Sequence, residues 1–355
     1  MSEYIDFLFK RYVVDFSANF GYFLACAVLL RTIMEINRSV GLVDVPNSRS
    51  SHSQPTPSGG GAAIVLIVLA ANWKVFFTSP EFLIGGLILA VVGLMDDIKK
   101  LPVLPRLLTQ LAVTSAVVVL LPAKAPIMGV PIWAIKAVLI PAGVWFINVY
   151  NFMDGLDGLA VGYANAASLG FLYCIEGGLL VESWNEDVYR QLFYITMAFL
   201  IFNWSPAKIF MGDIGSTFLG FVFFALGARS LLHGNYAIYS FVIIMSFFWI
   251  DATITLTRRF KAGARIFKAH REHAFHKASA LFGHWRVSAF IIMVTIAWLN
   301  PMAKLAVKRV DLAPVVTLLA VIPILVVIVL FNPGSPKDGL AIRIVSKKFK
   351  LINKL

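Results

Sequence analysis

The chain has 355 residues, 59% of them hydrophobic and 14% charged, with a mean hydropathy of +0.80 and a formal net charge of +12. This composition lies far outside the range of soluble globular domains and excludes one as the overall architecture. Cys26 and Cys174 both fall in apolar runs, so neither a disulfide framework nor a metal-cysteine cluster is available.

Apolar runs of roughly the length needed to cross a bilayer recur along the chain. They fall near 17–36, 61–78, 82–95, 107–121, 130–149, 158–180, 191–206, 214–232, 236–256, 286–303 and 313–331. The expected fold is an all-α integral membrane protein, a polytopic bundle of about 10–11 transmembrane helices forming a single domain over residues 1–355. The first run lacks a compact basic leader and a small-residue cleavage site, and reads as a retained span. With the N-terminus outside, the inner segments hold about 19 of the 31 Lys and Arg and the outer segments about 7. The net positive charge is therefore a topological signal with some attraction to anionic lipid, and no nucleic-acid partner is expected.

Five inner segments carry unusual polar clusters. "GLVDVPNSRSSHSQPTPSGGG" is too rich in Pro, Gly and Ser for a helix. It is either a flexible connector or a loop whose glycine amides approach a phosphate, with Arg49 and His52 as donors. "VVGLMDDIKKL" puts Asp96 and Asp97 at the inner end of the shortest span. The helix is expected to continue through them to the depth of lipid headgroups; Lys99 and Lys100 as simple partners are the alternative.

In "NVYNFMDGLDGLA", Asn148, Asn151, Asp154 and Asp157 recur every third residue, so three of the four can share a broad helix face. No Lys or Arg lies between Lys136 and Arg190. Acids at this depth without a local partner are functional candidates, although two solvated acids in a turn have the same spacing. A bound cation would offset their charge, and Asp and Asn oxygens suit Mg²⁺ or Mn²⁺. "FNWSPAKIFMGDIGSTFLG" adds Asn203, Lys208 and Asp213, the last at a helix N-terminus where simple capping is the alternative. The largest inner loop, "RRFKAGARIFKAHREHAFHKASALFGHWR", offers Arg271, His273 and His276 as donors to a diphosphate. Its histidine spacing without cysteine argues against zinc. Separated acids, a divalent metal and a basic loop at one membrane face suit metal-assisted phosphoryl transfer.

These five motifs, in this order from Asp44 to about His284, resemble the polyprenyl-phosphate N-acetylhexosamine-1-phosphate transferases, a superfamily that includes phospho-N-acetylmuramoyl-pentapeptide transferase. The resemblance implies a multi-pass protein of the bacterial inner membrane with its active site facing the cytoplasm. It also implies transfer of a sugar 1-phosphate from a UDP-N-acetylhexosamine to undecaprenyl phosphate, with release of UMP and use of Mg²⁺. Asp213 looks like the principal metal ligand, with Asp154 beside it, and Asn203 like part of the nucleotide site. Asp96 and Asp97 match the acidic pair that handles the lipid phosphate, and Asn151, Asp154 and Asp157 match the motif lining the cleft, with Asn148 one step before it. Two positions depart from the pattern: Lys100 stands where some relatives carry a third acid, and Phe275 interrupts the usual histidine run. The "HREH" form is similar to the O-antigen-initiating branch and points to an N-acetylated 6-deoxyhexosamine donor. A homodimer is compatible with all of this. An ion-coupled transporter is the rival class, but it calls for midplane acids and internal repeats, whereas the acids cluster at one face.

Overall fold

The computed structural model describes residues 16–46, 55–123, 129–175, 183–233, 237–264, 270–335 and 339–344. Arg49 and His52 lie outside these residues. The described chain is a helical bundle with one two-residue antiparallel ladder, β1 (Val43–Asp44) against β2 (Thr56–Pro57). The helices are α1 (Phe16–Val40), α2 (Gly61–Ala71), α3 (Pro80–Lys99), α4 (Val103–Leu120), α5 (Ile132–Phe152), α6 (Leu159–Ile175), α7 (Ser183–Asn203) and α8 (Gly212–Leu232). They are followed by α9 (Ala237–Ile244), α10 (Ser246–Lys261), α11 (Ala274–Phe282), α12 (His284–Val294), α13 (Asn300–Lys308) and α14 (Ala313–Phe331). Among the described residues, six helices are long and apolar enough to cross a membrane, or seven if the bent pair α9 and α10 forms one span.

α6 and α8 are buried around almost their whole circumference, while α1, α5 and α14 bury only one side and leave apolar side chains outward. A helix that is apolar all round belongs in the centre of a bundle or against lipid, and the structure uses both solutions. Glycines let α8 approach its neighbours closely. A Cβ on Gly61 of α2 would lie 2.3 Å from Gly215 Cα, and one on Gly93 of α3 would lie 2.6 Å from the Asp213 carbonyl oxygen. These seams of small residues bring the start of α8, and with it Asp213, against α2 and α3.

The expected span at 236–256 is broken. α9 and α10 meet at Met245 with a bend of 68°. Carbonyls next to the break are taken up by side chains: Tyr163 Oη donates to Ile244 (2.6 Å), Ser246 Oγ to Ile243 (2.6 Å) and Trp249 Nε1 to Val242 (3.0 Å). Replacement partners of this kind make a broken helix tolerable within a bilayer. The run at 286–303 instead continues through a single π turn, Thr295–Leu299, just before Pro301, which has no amide to give to the regular ladder. The polar stretch before Gln191 forms, from Ser183 onward, the first turns of α7.

Candidate active site

The C-terminus of α3 enters the site first. Its helix does continue through the acidic pair, as expected from the short apolar run. Neighbouring residues on a helix point about 100° apart, and the two carboxylates accordingly diverge. Asp97 turns to α8: Oδ1 accepts the Asp213 amide (2.9 Å) and Oδ2 the Ile214 amide (3.1 Å). It caps the first turn of that helix from another element, a favourable place for negative charge. Gly212 is the residue that permits this. Its φ is +77°, and a Cβ there would sit 2.5 Å from Asp97 Oδ2.

Asp96 faces the other way. It accepts the Leu101 amide and Arg106 Nη1 (2.8 Å), and it is in side-chain contact with Asp213. Arg106 Nη1 also lies 3.7 Å from Asp213 Oδ2. The ion-pair partner of Asp96 is thus Arg106 on α4, while Lys100, which ends α3 in a left-handed turn, acts on both acids only through its charge. Arg106 was not identified from the sequence; its position ten residues beyond Asp96, across a helix junction, has no local periodicity to mark it.

The third motif divides at the end of α5. Asn148 turns to α4, where Nδ2 donates to Gln110 Oε1 (2.6 Å), and does not meet the carboxylates. Asn151 does: Nδ2 donates to Asp213 Oδ1 (2.8 Å) and Ser216 Oγ (2.9 Å). The helix ends at Phe152, so Asp154 and Asp157 occupy a turn and the three-residue helical repeat stops before them. Burial, then the neighbouring carboxylates of Asp213, Asp97 and Asp157, push Asp154 up to about 8. Asp157 behaves in the opposite sense. Burial works against its charge, but His284, with Nδ1 3.8 Å from Oδ1, and the Ala207 amide at 3.3 Å hold its pKa below the ordinary carboxylate value.

Asn203 is buried with its amide engaged at both ends, accepting from the Gly158 amide (3.0 Å) and donating to the Ile209 carbonyl (2.8 Å). It ties the Asp157 turn to the loop that carries Asp213. The glycine segment is stitched to the same loop: Gly60 and Gly61 donate to the carbonyls of Phe210 and Met211 (both 2.9 Å), and Phe210 donates to Pro57 (2.8 Å). Two of the three glycine amides considered for a phosphate are therefore committed to this ladder.

The histidine loop closes over the Asp154 turn. A Cβ on Gly155 would lie 2.7 Å from His276 Nε2, so the imidazole rests directly on that glycine. Arg271 is exposed, whereas His273 and His276 are buried. Burial lowers His276 to about 3 and His270 to about 4, so both rings are neutral at physiological pH. A feature missed in the sequence is Asp251 in α10, hidden inside an expected span. Its Oδ1 accepts the Ala274 amide (3.0 Å) and Thr255 Oγ1 (3.0 Å), its Oδ2 the Phe275 amide (3.3 Å), and His273 Nδ1 stands 3.6 Å away.

Asp96, Asp97, Asp154 and Asp213 thus gather at one end of the bundle with Arg106 as the cation in direct contact. Among the described residues no three His, Cys, Asp or Glu side chains form a ready metal cage. The donor chemistry nevertheless fits Mg²⁺, which takes one or two carboxylates and completes its shell with water and substrate phosphate. Asp213 and Asp154 would hold it.

Comparison with known proteins gives the class that the sequence motifs imply. Residues 80–230 match the glycosyl transferase family 4 model. The chain is 29% identical over 286 residues to a probable undecaprenyl-phosphate N-acetylglucosaminyl 1-phosphate transferase of Bacillus subtilis, covering 76% of this chain and 78% of that protein. It is 26% identical over 297 residues to a decaprenyl-phosphate N-acetylglucosaminephosphotransferase of Mycobacterium tuberculosis, covering 72% and 73%. It is also 26% identical over 269 residues to an undecaprenyl-phosphate alpha-N-acetylglucosaminyl 1-phosphate transferase of Escherichia coli K12, again covering 72% and 73%. Over residues 80–230 the chain thus matches glycosyl transferase family 4, and the relatives it resembles along 70–76% of its length are polyprenyl-phosphate N-acetylglucosaminyl 1-phosphate transferases.

Proposed function

We propose that this protein transfers an N-acetylhexosamine 1-phosphate from a UDP-sugar to undecaprenyl phosphate at the cytoplasmic face of the bacterial inner membrane, starting a lipid-linked glycan of the O-antigen type. The observation that carries the proposal is the meeting of Asp96, Asp213 and Arg106 where the inner ends of α3, α4 and α8 converge. A phosphate monoester anchored in lipid needs a cation and a proton acceptor at headgroup depth, and Arg106 and Asp96 supply them.

In the reaction, an oxygen of the lipid phosphate forms a bond to the β-phosphorus, the phosphorus that carries the sugar. The bond from that phosphorus to the oxygen bridging the two phosphates breaks, and UMP departs with the bridging oxygen. Asp96 orients the lipid phosphate and takes its proton if it arrives protonated. Asn151 fixes the Asp213 carboxylate, and Asp97 fixes the backbone beneath it. Asp213 and Asp154 would hold Mg²⁺, which when bound would supply charge neutralisation to the diphosphate. His276, neutral and laid on the Asp154 turn, donates a hydrogen bond to the donor substrate without adding a charge. The lone pair of sequence departures, Lys100 and Phe275, lies beside the acceptor and donor halves respectively.

Incubating purified protein with UDP-[³²P]N-acetylhexosamine labelled at the β-phosphate and undecaprenyl phosphate should move label into the organic phase. A labelled protein formed without lipid acceptor would replace direct attack with a covalent aspartyl-phosphate route. No label in lipid with any UDP-N-acetylhexosamine would remove the proposal.

A further inference from the structure

The most deeply buried carboxylate among the described residues, Asp251, has no part in the mechanism. Asp251 is fully buried in α10, 25 or more positions away in sequence from every residue given a role in the reaction, and its oxygens point at the start of α11. Both take amides of the first turn of that helix, Ala274 and Phe275, while Thr255 one turn below holds Oδ1 from the other side. His273 Nδ1, itself buried and otherwise without a hydrogen-bond partner, faces the same oxygen at 3.6 Å. The residue that α11 then presents to the site is His276, one turn further on, whose ring rests on Gly155.

The far side of the loop is held as well. Arg259 of α10 pairs with Glu272, whose carbonyl accepts the Gly334 amide (2.9 Å), and Lys277 Nζ donates to the carbonyls of Asn332 (2.9 Å) and Ser335 (3.0 Å) at the end of α14. α11 is thus docked from two directions, with Asp251 at the end nearest His276.

We infer that Asp251 is a positioning residue for the donor substrate: by capping α11 and facing His273 it fixes the height at which His276 lies over the Asp154–Gly155 turn. It touches no reacting group. The inference rests on the transferase reading for its consequence in turnover, but the anchoring itself is a property of the free protein. An oxygen without charge at this position keeps one amide acceptor and loses the attraction to His273, so Asp251→Asn should fall between the wild type and Asp251→Ala.

The test combines kinetics with amide hydrogen exchange on the full-length protein in detergent or nanodiscs. Asp251→Ala is expected to raise the KM for the UDP-sugar at least tenfold while the KM for undecaprenyl phosphate stays within twofold. Asp251→Asn should give a smaller rise in the same direction. Exchange in 270–282 should accelerate at least tenfold in Asp251→Ala, with α3 and α8 unchanged. If Asp251→Ala does not fold, Asp251→Asn and Thr255→Val carry the test, with the same split expected at smaller amplitude. Equal rises in both KM values, or a donor KM that does not move, would overturn the inference. If the wild type transfers nothing from any UDP-sugar, the functional reading fails by itself. Local exchange then decides the anchoring, unchanged protection at 274–275 sinking it and selective loss sustaining it.

Discussion

Asp96 and Asp97 are adjacent in the chain and separate in task. Asp97 satisfies two amides at the start of α8, and its removal costs what a lost helix cap costs, about 0.5–2 kcal/mol. Asp97→Ala should therefore lower the thermal midpoint measurably, and Asp97→Asn less. Asp213→Asn keeps the shape of the site and removes its central charge. We expect turnover to fall by about 10²-fold or more, with the folded fraction unchanged by size-exclusion chromatography; near-normal activity would take Asp213 out of the metal site. Asp157 gives a pH dependence with a defined sign. Its pKa is held below the ordinary carboxylate value of 3.8, so its stabilising contribution is complete above that value and disappears as the pH falls through the depressed one. His284→Gln should flatten the loss of thermal stability on acidification below about pH 4; an unchanged acid limb would show that the pair contributes nothing to folding.

At the level of elements, the packing of α8 depends on glycines whose reasons differ. Gly212 and Gly263 both have φ near +75°, but only at Gly212 would a Cβ meet another atom, the Asp97 carboxylate. Alanine at either position bears the backbone strain, of order 1 kcal/mol. Alanine at Gly212 should in addition displace Asp97, so its thermal midpoint is expected to fall well below that of Gly263→Ala. Equal midpoints would mean that the cap is dispensable. The apolar runs locate most of these helices because a bilayer demands length and hydropathy from each span by itself. What the runs do not show is where a span breaks. The bend at Met245 depends on Tyr163, about eighty residues earlier, accepting the task of satisfying Ile244, and no local pattern records that. Asp251 is invisible for the same reason: in the sequence it is one acid in an apolar run, and only the docking of α11 shows what it serves.

Over the whole molecule, the described parts of the polar motifs gather at one end of the bundle, and each was legible because it is unusual for a membrane segment by itself. Their mutual arrangement was less legible. Asn148 shares the spacing of Asn151 yet turns to Gln110, since the side of α5 it occupies faces α4. Arg106 gained its place only when α3 and α4 were brought together. The assignment of this face to the cytoplasm rests on the distribution of Lys and Arg. With Cys26 and Cys174 buried, Gly263→Cys should be labelled by a membrane-impermeant maleimide in inverted vesicles and not in right-side-out ones; the reverse pattern would invert the topology.

The most direct test of the account is release of UMP by the purified wild-type protein from a panel of UDP-N-acetylhexosamines, with undecaprenyl phosphate and Mg²⁺ each supplied or withheld. The account predicts UMP only when both are present, with the best donor naming the sugar. Release that ignores the lipid, or no release from any donor by protein shown to be folded, would contradict it.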